Sequence, residues 1–477
     1  MEPEPQQPAS SAAPSTTRTV RSRVLRGIGA NAFGQAVNTI IQLVGLPVFL
    51  AVWGVELYGE WLVLTSLASF LAMSDVGFAS AAANEMTMRS GRDDRDGALV
   101  VYQSAWALLC VLGGAMLAIV LAVLWFTRAA TWLPLTAIPA GDATVALSIM
   151  AISILLSQQL GVLQAGFRCG GRYPLGVTIG TLTRLTEFVA QIAALLATGA
   201  IVWVAAAGGL ARLAAFFATA HVLRNSVPWL RLGIAHAEAS SLVKLAAPAI
   251  AYLGMPLAYA ISNQGTIQVI AAILGPVAVT AFAAHRTIAN VAVQAMTLVN
   301  QSVRPEMSLA FGNGDLDTAR KLNRRTCQVT LWLALASCVV ILVVATPLFA
   351  LWTRNAISAD YPLLIALLSA VVLRSGWLSS YVVPSAINQH VRIAGVFVLS
   401  TFASLAIATW LTNLIGMVGA GLSLTLAEAF MTWFVVSCSM RMLNERLCDF
   451  VQYIVCPPNF LALLVQRTSP RPPAPLS

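Results

Sequence analysis

Arg184 and Glu187 stand three residues apart in LTRLTEFVAQ (Leu182–Gln191), inside a stretch whose other residues are mostly apolar or hydroxyl-bearing. Three more arginines, Arg212, Arg286 and Arg374, lie near the middle of equally apolar stretches. The acids available to meet them are fewer: Glu187, Glu428 and, nearer one end of its stretch, Asp75. A mid-bilayer arginine costs about 2.5–3.5 kcal/mol on insertion scales, so four of them call for a compensating role. A guanidinium presents a planar fork that grips phosphate or carboxylate oxygens in pairs. The chemistry open to these residues is therefore to hold an anion away from water, with His285 beside Arg286 as a further cation. The plainer alternative is that Arg184 and Glu187 neutralise each other across one helical turn. Glu428 is free to pair with any of the arginines or to bind a coupling ion, and the sequence does not choose.

Asn31, Gln35, Asn38 and Gln42 follow one another at spacings of 4, 3 and 4. On a helix that puts four amides on one face. An offset of 221 residues carries these positions onto Tyr252, Pro256, Tyr259 and Asn263, where Gln264 and Gln268 add to the polarity. Lipid does not tolerate such stripes, so they face either a wet cavity or a neighbouring helix that they bond as glue. Amides and hydroxyls, with Asn290 and Gln294 nearby, supply the donors and acceptors that sugar hydroxyls need.

The elements that must position these groups are membrane-spanning helices. Of 477 residues, 58% are hydrophobic and only 10% charged, against roughly 25% charged in a soluble domain. Apolar stretches have the length of spanning helices, about 20 residues or more, rather than of alternating barrel strands. The expected fold is an all-α integral membrane protein with twelve spans: 27–52, 58–79, 99–126, 144–166, 174–198, 200–223, 246–273, 276–300, 327–351, 362–387, 392–414 and 416–440. Of 28 Lys and Arg, four lie in the interior of these spans, Arg392 stands at the first position of one, and only Arg128 and Arg354 fall in the odd-numbered gaps. The positive-inside rule then makes the other gaps and both termini cytoplasmic, and the net charge of +9 is mostly this topological signal.

The 221-residue offset also aligns EMTMRSGRDDRDGA (Glu85–Ala98) with EMSLAFGNGDLDTA (Glu306–Ala319), and Gly54 with Gly275. Both copies read as polar loops after the second span of a six-span half. The halves are thus parallel repeats about an axis along the membrane normal, around a central cavity. The expected organisation is a disordered tail at 1–19, a first half at 20–223, an interfacial linker at 224–245, a second half at 246–440 and an interfacial tail at 441–477. The seven cysteines have no CxxC or metal-ligand spacing. No cofactor, metal site, nucleotide fingerprint, catalytic triad or nucleic-acid footprint is read.

The stretch LAVWGVELYGEWLVLTSLASFLAMSDVGFASAAANEM resembles the start of Wzx-type polysaccharide flippases, within the multidrug/oligosaccharidyl-lipid/polysaccharide exporter superfamily. Gly54, the Tyr58-Gly59-x-Trp61 cluster and Ser74-Asp75-x-Gly77-Phe78 carry the likeness, and PEMSLAFGNGDLDTARKLNRR resembles the matching segment of the second half. The resemblance spans about residues 20–440. It implies alternating-access translocation of an undecaprenyl-diphosphate-linked oligosaccharide across a bacterial inner membrane, with polymerase and chain-length proteins as partners. No motif of the family assigns a site. From the residues, the candidate substrate contacts are Arg184, Glu187, Arg212, Arg286, Arg374, Asn31, Gln35, Asn38, Gln42, Tyr259 and Asn263. An ion-coupled drug or metabolite antiporter and a polytopic glycolipid-processing enzyme are the alternatives. The absence of an acid from the first span argues against proton-coupled drug efflux by that route.

Overall fold

The computed structural model describes residues 17–72, 77–127, 131, 133, 135–386 and 391–457. Most of the disordered tail expected at 1–19, Asp75, Arg128 and the last part of the C-terminal tail lie outside them. The described chain is helical, and ten of its segments are long and apolar enough to cross a membrane. The helices are α1 (Thr17–Phe70), α2 (Phe78–Gly91), α3 (Arg95–Phe126), α4 (Ala140–Cys169), α5 (Tyr173–Thr198) and α6 (Ile201–Ser226) in the first half. The second half has α7 (Ala239–Ala260), α8 (Thr266–Leu274), α9 (Pro276–Gly312), α10 (Leu316–Trp352), α11 (Tyr361–Ser380), α12 (Val382–Ala386), α13 (Val391–Ile415), α14 (Met417–Met442) and α15 (Leu447–Val455). A π-helical turn, Ile261–Gly265, joins α7 to α8.

The difference from twelve spans has two sources. α1 holds the first two expected spans as one helix interrupted at Gly54 (φ 71°, ψ −174°), and α9, over the eighth, is not among the ten. α9 carries His285, Arg286, Asn290 and Gln294, which lower its hydropathy. Those residues also mark it as a helix that faces protein or water rather than lipid.

The internal repeat has a structural meaning the loop reading missed. Glu85–Gly91 is the last turns of α2, and α3 begins at Arg95. The second copy is the end of α9 and the start of α10. The repeated residues do equivalent work in each. Asp94 accepts a hydrogen bond from the Gly97 N–H at 2.9 Å, and Asp315 accepts one from the Thr318 N–H at 3.0 Å. Each is an N-cap that satisfies an orphan donor of the following helix. Met86 and Met307 are buried, as are Ala98 and Ala319. Gly275 (φ 81°, ψ 178°) has nearly the backbone of Gly54, a region that only glycine occupies without strain.

At the end bearing the short loops, the two halves share one apolar core. Phe49, Trp53, Tyr58 and Trp61 of α1 stack on one another and belong to the same buried cluster as Val279 and Phe282 of α9 and Phe349 of α10. Gly59 makes this approach feasible: a Cβ there would sit 2.0 Å from the Pro276 carbonyl oxygen. Thr280 Oγ1 donates to the Val55 carbonyl at 2.7 Å. At the opposite, basic end the cores are separate. One is built from α2, α3, α4 and α6 with the first turns of α7, and the other from α9, α10, α12, α14 and α15. The halves thus share one core at the short-loop end, while at the basic end each has its own and α7 of the second half packs on α2 and α3 of the first.

The linker expected at 224–245 takes in the end of one helix and the start of the next. α6 runs to Ser226, residues 227–238 are irregular, and α7 begins at Ala239. α15 lies within the tail expected at 441–477 and docks on α10, with Gln328 Nε2 donating to the Tyr453 and Cys456 carbonyls at 3.2 and 2.8 Å.

Candidate functional site

The amide stripe of α1 runs from α5 of the first half, at Asn31, to α9 of the second, at Gln42. Asn31, Gln35, Asn38 and Gln42 are all half-buried. Gln42 and Thr39 both meet Gln294 of α9: Gln294 Nε2 donates to Gln42 Oε1 at 3.0 Å, and Thr39 Oγ1 donates to Gln294 Oε1. Nearer the sealed end, Gln268 Nε2 donates to the Val63 carbonyl at 3.1 Å and to Ser66 Oγ. Gln42 therefore serves as inter-half glue in this conformation. Asn31 sits lower, where the Tyr173 hydroxyl donates to its Oδ1 at 3.4 Å.

The four arginines divide into two kinds. Arg212 of α6 grips Glu187 of α5, with Nη2 2.6 Å from both carboxylate oxygens and Nε 3.2 Å from Oε2. Its Nη1 donates to the Ser153 carbonyl at 3.1 Å. So Glu187 pairs across helices and not with Arg184 one turn away. Gly208 and Gly209 explain the choice. They lie against Gln191 and Ser153, so close that a Cβ would fall 2.6 and 2.9 Å from those side chains, and this brings Arg212 one turn further along to the acid. The pair lines a cavity of about 160 Å³ inside the first half, with Trp61, Thr65, Ser153 and Gln191. Arg374 of α11 likewise finds an acid by packing: its Nε donates to Glu428 Oε1 of α14 at 2.8 Å, and Trp377 Nε1 donates to Oε2. Arg374 also lies over the Tyr259 ring at 5.9 Å.

Arg184 and Arg286 make no ion pair among the described residues. Arg184 is exposed on α5 and lies against α1 at Gly34, the residue between the amides: a Cβ there would be 3.8 Å from Arg184 Nη2 and 3.0 Å from Thr181 Oγ1. Arg286 of α9 donates from Nη1 to the Asn263 carbonyl at 2.9 Å and lies over the Phe282 ring at 5.4 Å. The carbonyl it uses belongs to the π-helical turn, where the helical hydrogen-bond ladder is shifted and π-turns are frequent at functional sites. The Asn263 side chain is exposed. Arg286 and Arg374 are within electrostatic reach of each other. The candidate residues therefore fall into three groups: Arg184 with the α1 amides; Arg286, Arg374, Tyr259 and Asn263 in the second half; and Glu187 with Arg212 in a side cavity of the first.

Sequence reasoning missed one residue that shapes this frame and gave another the wrong role. Glu60 is fully buried and accepts hydrogen bonds from the backbone N–H groups of Thr136, Ala137 and Ile138 at 2.5, 2.8 and 2.7 Å. It anchors the α3–α4 loop to α1. His285, expected as an added cation, is buried, with one ring nitrogen 2.7 Å from the Ala281 carbonyl and the other accepting from the Asp360 N–H at 2.8 Å. That pair of contacts suits a neutral ring, so it adds no charge to the cleft.

Two helical halves that share a core define an all-helical, multi-pass membrane fold, and solved structures agree. The chain is similar to the inward-facing conformation of a multidrug resistance MATE family transporter of the MOP superfamily, with TM-score 0.65 and 15% identity over 86% of this chain and 94% of that one. It is similar to an outward-facing conformation of such a transporter at TM-score 0.64 and 15% identity, over 89% and 96%. A MOP superfamily transporter from Pyrococcus furiosus, whose binding pocket is said to have reverse polarity, matches at TM-score 0.59 and 15% identity, over 89% and 96%. At such identities the likeness shows the fold. No family model matches the chain, and no curated protein matches it in sequence.

Proposed function

We propose that the protein is an alternating-access transporter that flips an undecaprenyl-diphosphate-linked oligosaccharide across a bacterial inner membrane for surface polysaccharide assembly. The observation that carries this reading is that two arginines within the spans have no carboxylate partner among the described residues: Arg184, exposed against the amide-bearing α1 at Gly34, and Arg286, beside the π-helical turn at Asn263. Two such guanidiniums replace part of a diphosphate's lost hydration, since hydrogen bonds between ionised groups are the strong ones. The half-buried amides Asn31, Gln35 and Asn38 offer both donor and acceptor to sugar hydroxyls. The polyprenyl tail stays in lipid through a lateral gap. Arg374 and Arg212 join in only by exchanging a carboxylate for phosphate oxygens.

A second reading, an ion-coupled drug or metabolite antiporter, is favoured by Glu187 and Glu428. Both are carboxylates held within the spans, and several proteins of similar fold are multidrug transporters. Arg184→Ala and Arg286→Ala, expressed in a strain lacking the wild-type copy, separate the readings. Loss of surface polysaccharide with precursor piling up on the cytoplasmic leaflet is the expected result. Normal polysaccharide with altered drug tolerance points to the antiporter. Altered glycan length with translocation intact points to an enzyme.

A further inference from the structure

Between the end of α6 and the linker lies a concavity of about 920 Å³ lined by Ala220, His221, Leu223, Arg224, Asn225, Pro228, Leu230, Arg231 and Leu232. We propose that it is a binding site for an anionic phospholipid of the leaflet at the basic end, with Arg224 and Arg231 on the phosphate and Leu232 against the chains.

Four observations support it. First, the charge is one-sided: two guanidiniums line the pocket, no carboxylate does, and neither arginine has an ion pair among the described residues. The ammonium of a zwitterionic headgroup would find no partner there, whereas a net-negative headgroup would. Second, the depth is right. Phe217 on α6 and Ile234 in the linker, just before and just after the pocket residues along the chain, are 63% and 70% exposed. Exposed apolar residues flanking arginines belong at the boundary between acyl chains and headgroups. Third, the pocket is preformed. Buried Gln103 of α3 donates to the Arg231 carbonyl at 3.1 Å and accepts from the His236 N–H at 2.7 Å, and Ser104 Oγ accepts from the Glu238 N–H at 2.8 Å. Leu223, Val227 and Leu230 are buried in the core of the first half, where Gly166 and Gly170 allow them close contact. Fourth, the floor is apolar and the rim polar, with Asn225 Nδ2 3.0 Å from His221 Nε2, as an amphiphile requires. The linker is the covalent joint between the halves, so a lipid seated on it braces the joint against the first half. This inference is independent of what the cleft carries.

The test uses the purified full-length protein in nanodiscs of phosphatidylethanolamine with or without phosphatidylglycerol. Native mass spectrometry counts the lipid retained. We expect retained phosphatidylglycerol, and about thirtyfold weaker retention in Arg224→Gln/Arg231→Gln, from about 1 kcal/mol per basic residue at an anionic surface. Arg92→Gln, an exposed arginine elsewhere at the basic end, should leave retention unchanged. Equal retention of both lipids, or equal losses in the Arg92 and linker variants, overturns the site as one of general charge attraction. Binding of inorganic phosphate to lipid-stripped protein as tightly as phosphatidylglycerol overturns the lipid assignment. Should the double variant fail to fold, hydrogen exchange of wild-type residues 231–238 decides. Slower exchange with phosphatidylglycerol than without it is the expected result, and identical exchange counts against the site.

Discussion

Gln294 of α9 donates its amide to Gln42 of α1 at 3.0 Å while its oxygen takes the Thr39 hydroxyl, so one side chain of the second half holds two of the first. Together with Gln268 on Val63 and Ser66, it forms a polar seam between the halves. These bonds must break for the halves to part there. A net hydrogen bond is worth about 1 kcal/mol, so Gln294→Ala removes about 2 kcal/mol from the closed arrangement alone. Spin-label distances across the short-loop end should shift toward an open population. An unchanged distance distribution would show that the apolar core alone sets the closure.

Gly54 and Gly275 are a second pair joined by the repeat, and both adopt positive φ with extended ψ. No neighbouring atom crowds either position, as a Cβ would meet nothing within 4 Å. The cost of Gly54→Ala or Gly275→Ala is therefore backbone strain alone, about 1–3 kcal/mol each. Thermal unfolding in detergent checks this, and two neutral substitutions would mean that the turns relax freely.

The legibility of this fold in the sequence follows from how local each feature is. Gly54, Gly275, Asp94 and Asp315 act through their own backbone or a residue three positions on, so a repeat of identical letters carried their equivalence. The spanning helices were legible because lipid acts on every residue of a span alike. The ion pairs were not. Glu187 sits one turn from Arg184, yet meets Arg212, 25 residues on, because Gly208 and Gly209 admit α6 to the α5 face that bears Glu187 and Gln191. Arg374 meets Glu428, 54 residues away, by the packing of α11 on α14. Which acid meets which base is a property of helix packing, and a sequence read along one helix at a time does not contain it. Gln42 was read with the cavity amides for the same reason: its partner lies in the other half.

Asp315 gives a pH dependence of stability. The Thr318 hydroxyl donates to its carboxylate at 2.6 Å and the Thr318 N–H at 3.0 Å. Those bonds favour the charged form, the hydroxyl contributing most, and hold the carboxyl below its ordinary value. A depressed native value means stabilisation present above the unfolded value of about 3.9 and lost as pH falls through the native one. Asp315→Ala should therefore lower the melting temperature at neutral pH, and the gap should narrow under acid. A gap that stays constant would assign Asp315 a role other than a charged cap.

The pairing of Glu187 with Arg212 is open to a double-mutant cycle. Both side chains are largely buried, with 16% and 19% of their surface exposed, and removing one partner of a buried pair costs about 3–5 kcal/mol because the other charge is left uncompensated. Glu187→Gln should destabilise the protein toward that range, as should Arg212→Gln. The double variant should recover most of the loss, since a neutral pair leaves no stranded charge. The same cycle with Arg184→Gln should show little coupling, because Arg184 lies against α1 at Gly34 and not on the acid. Strong coupling of Glu187 to Arg184 with none to Arg212 would reverse the assignment, making Arg212 the unpaired cation of the first half and moving the anion site from the α1 face to the side cavity.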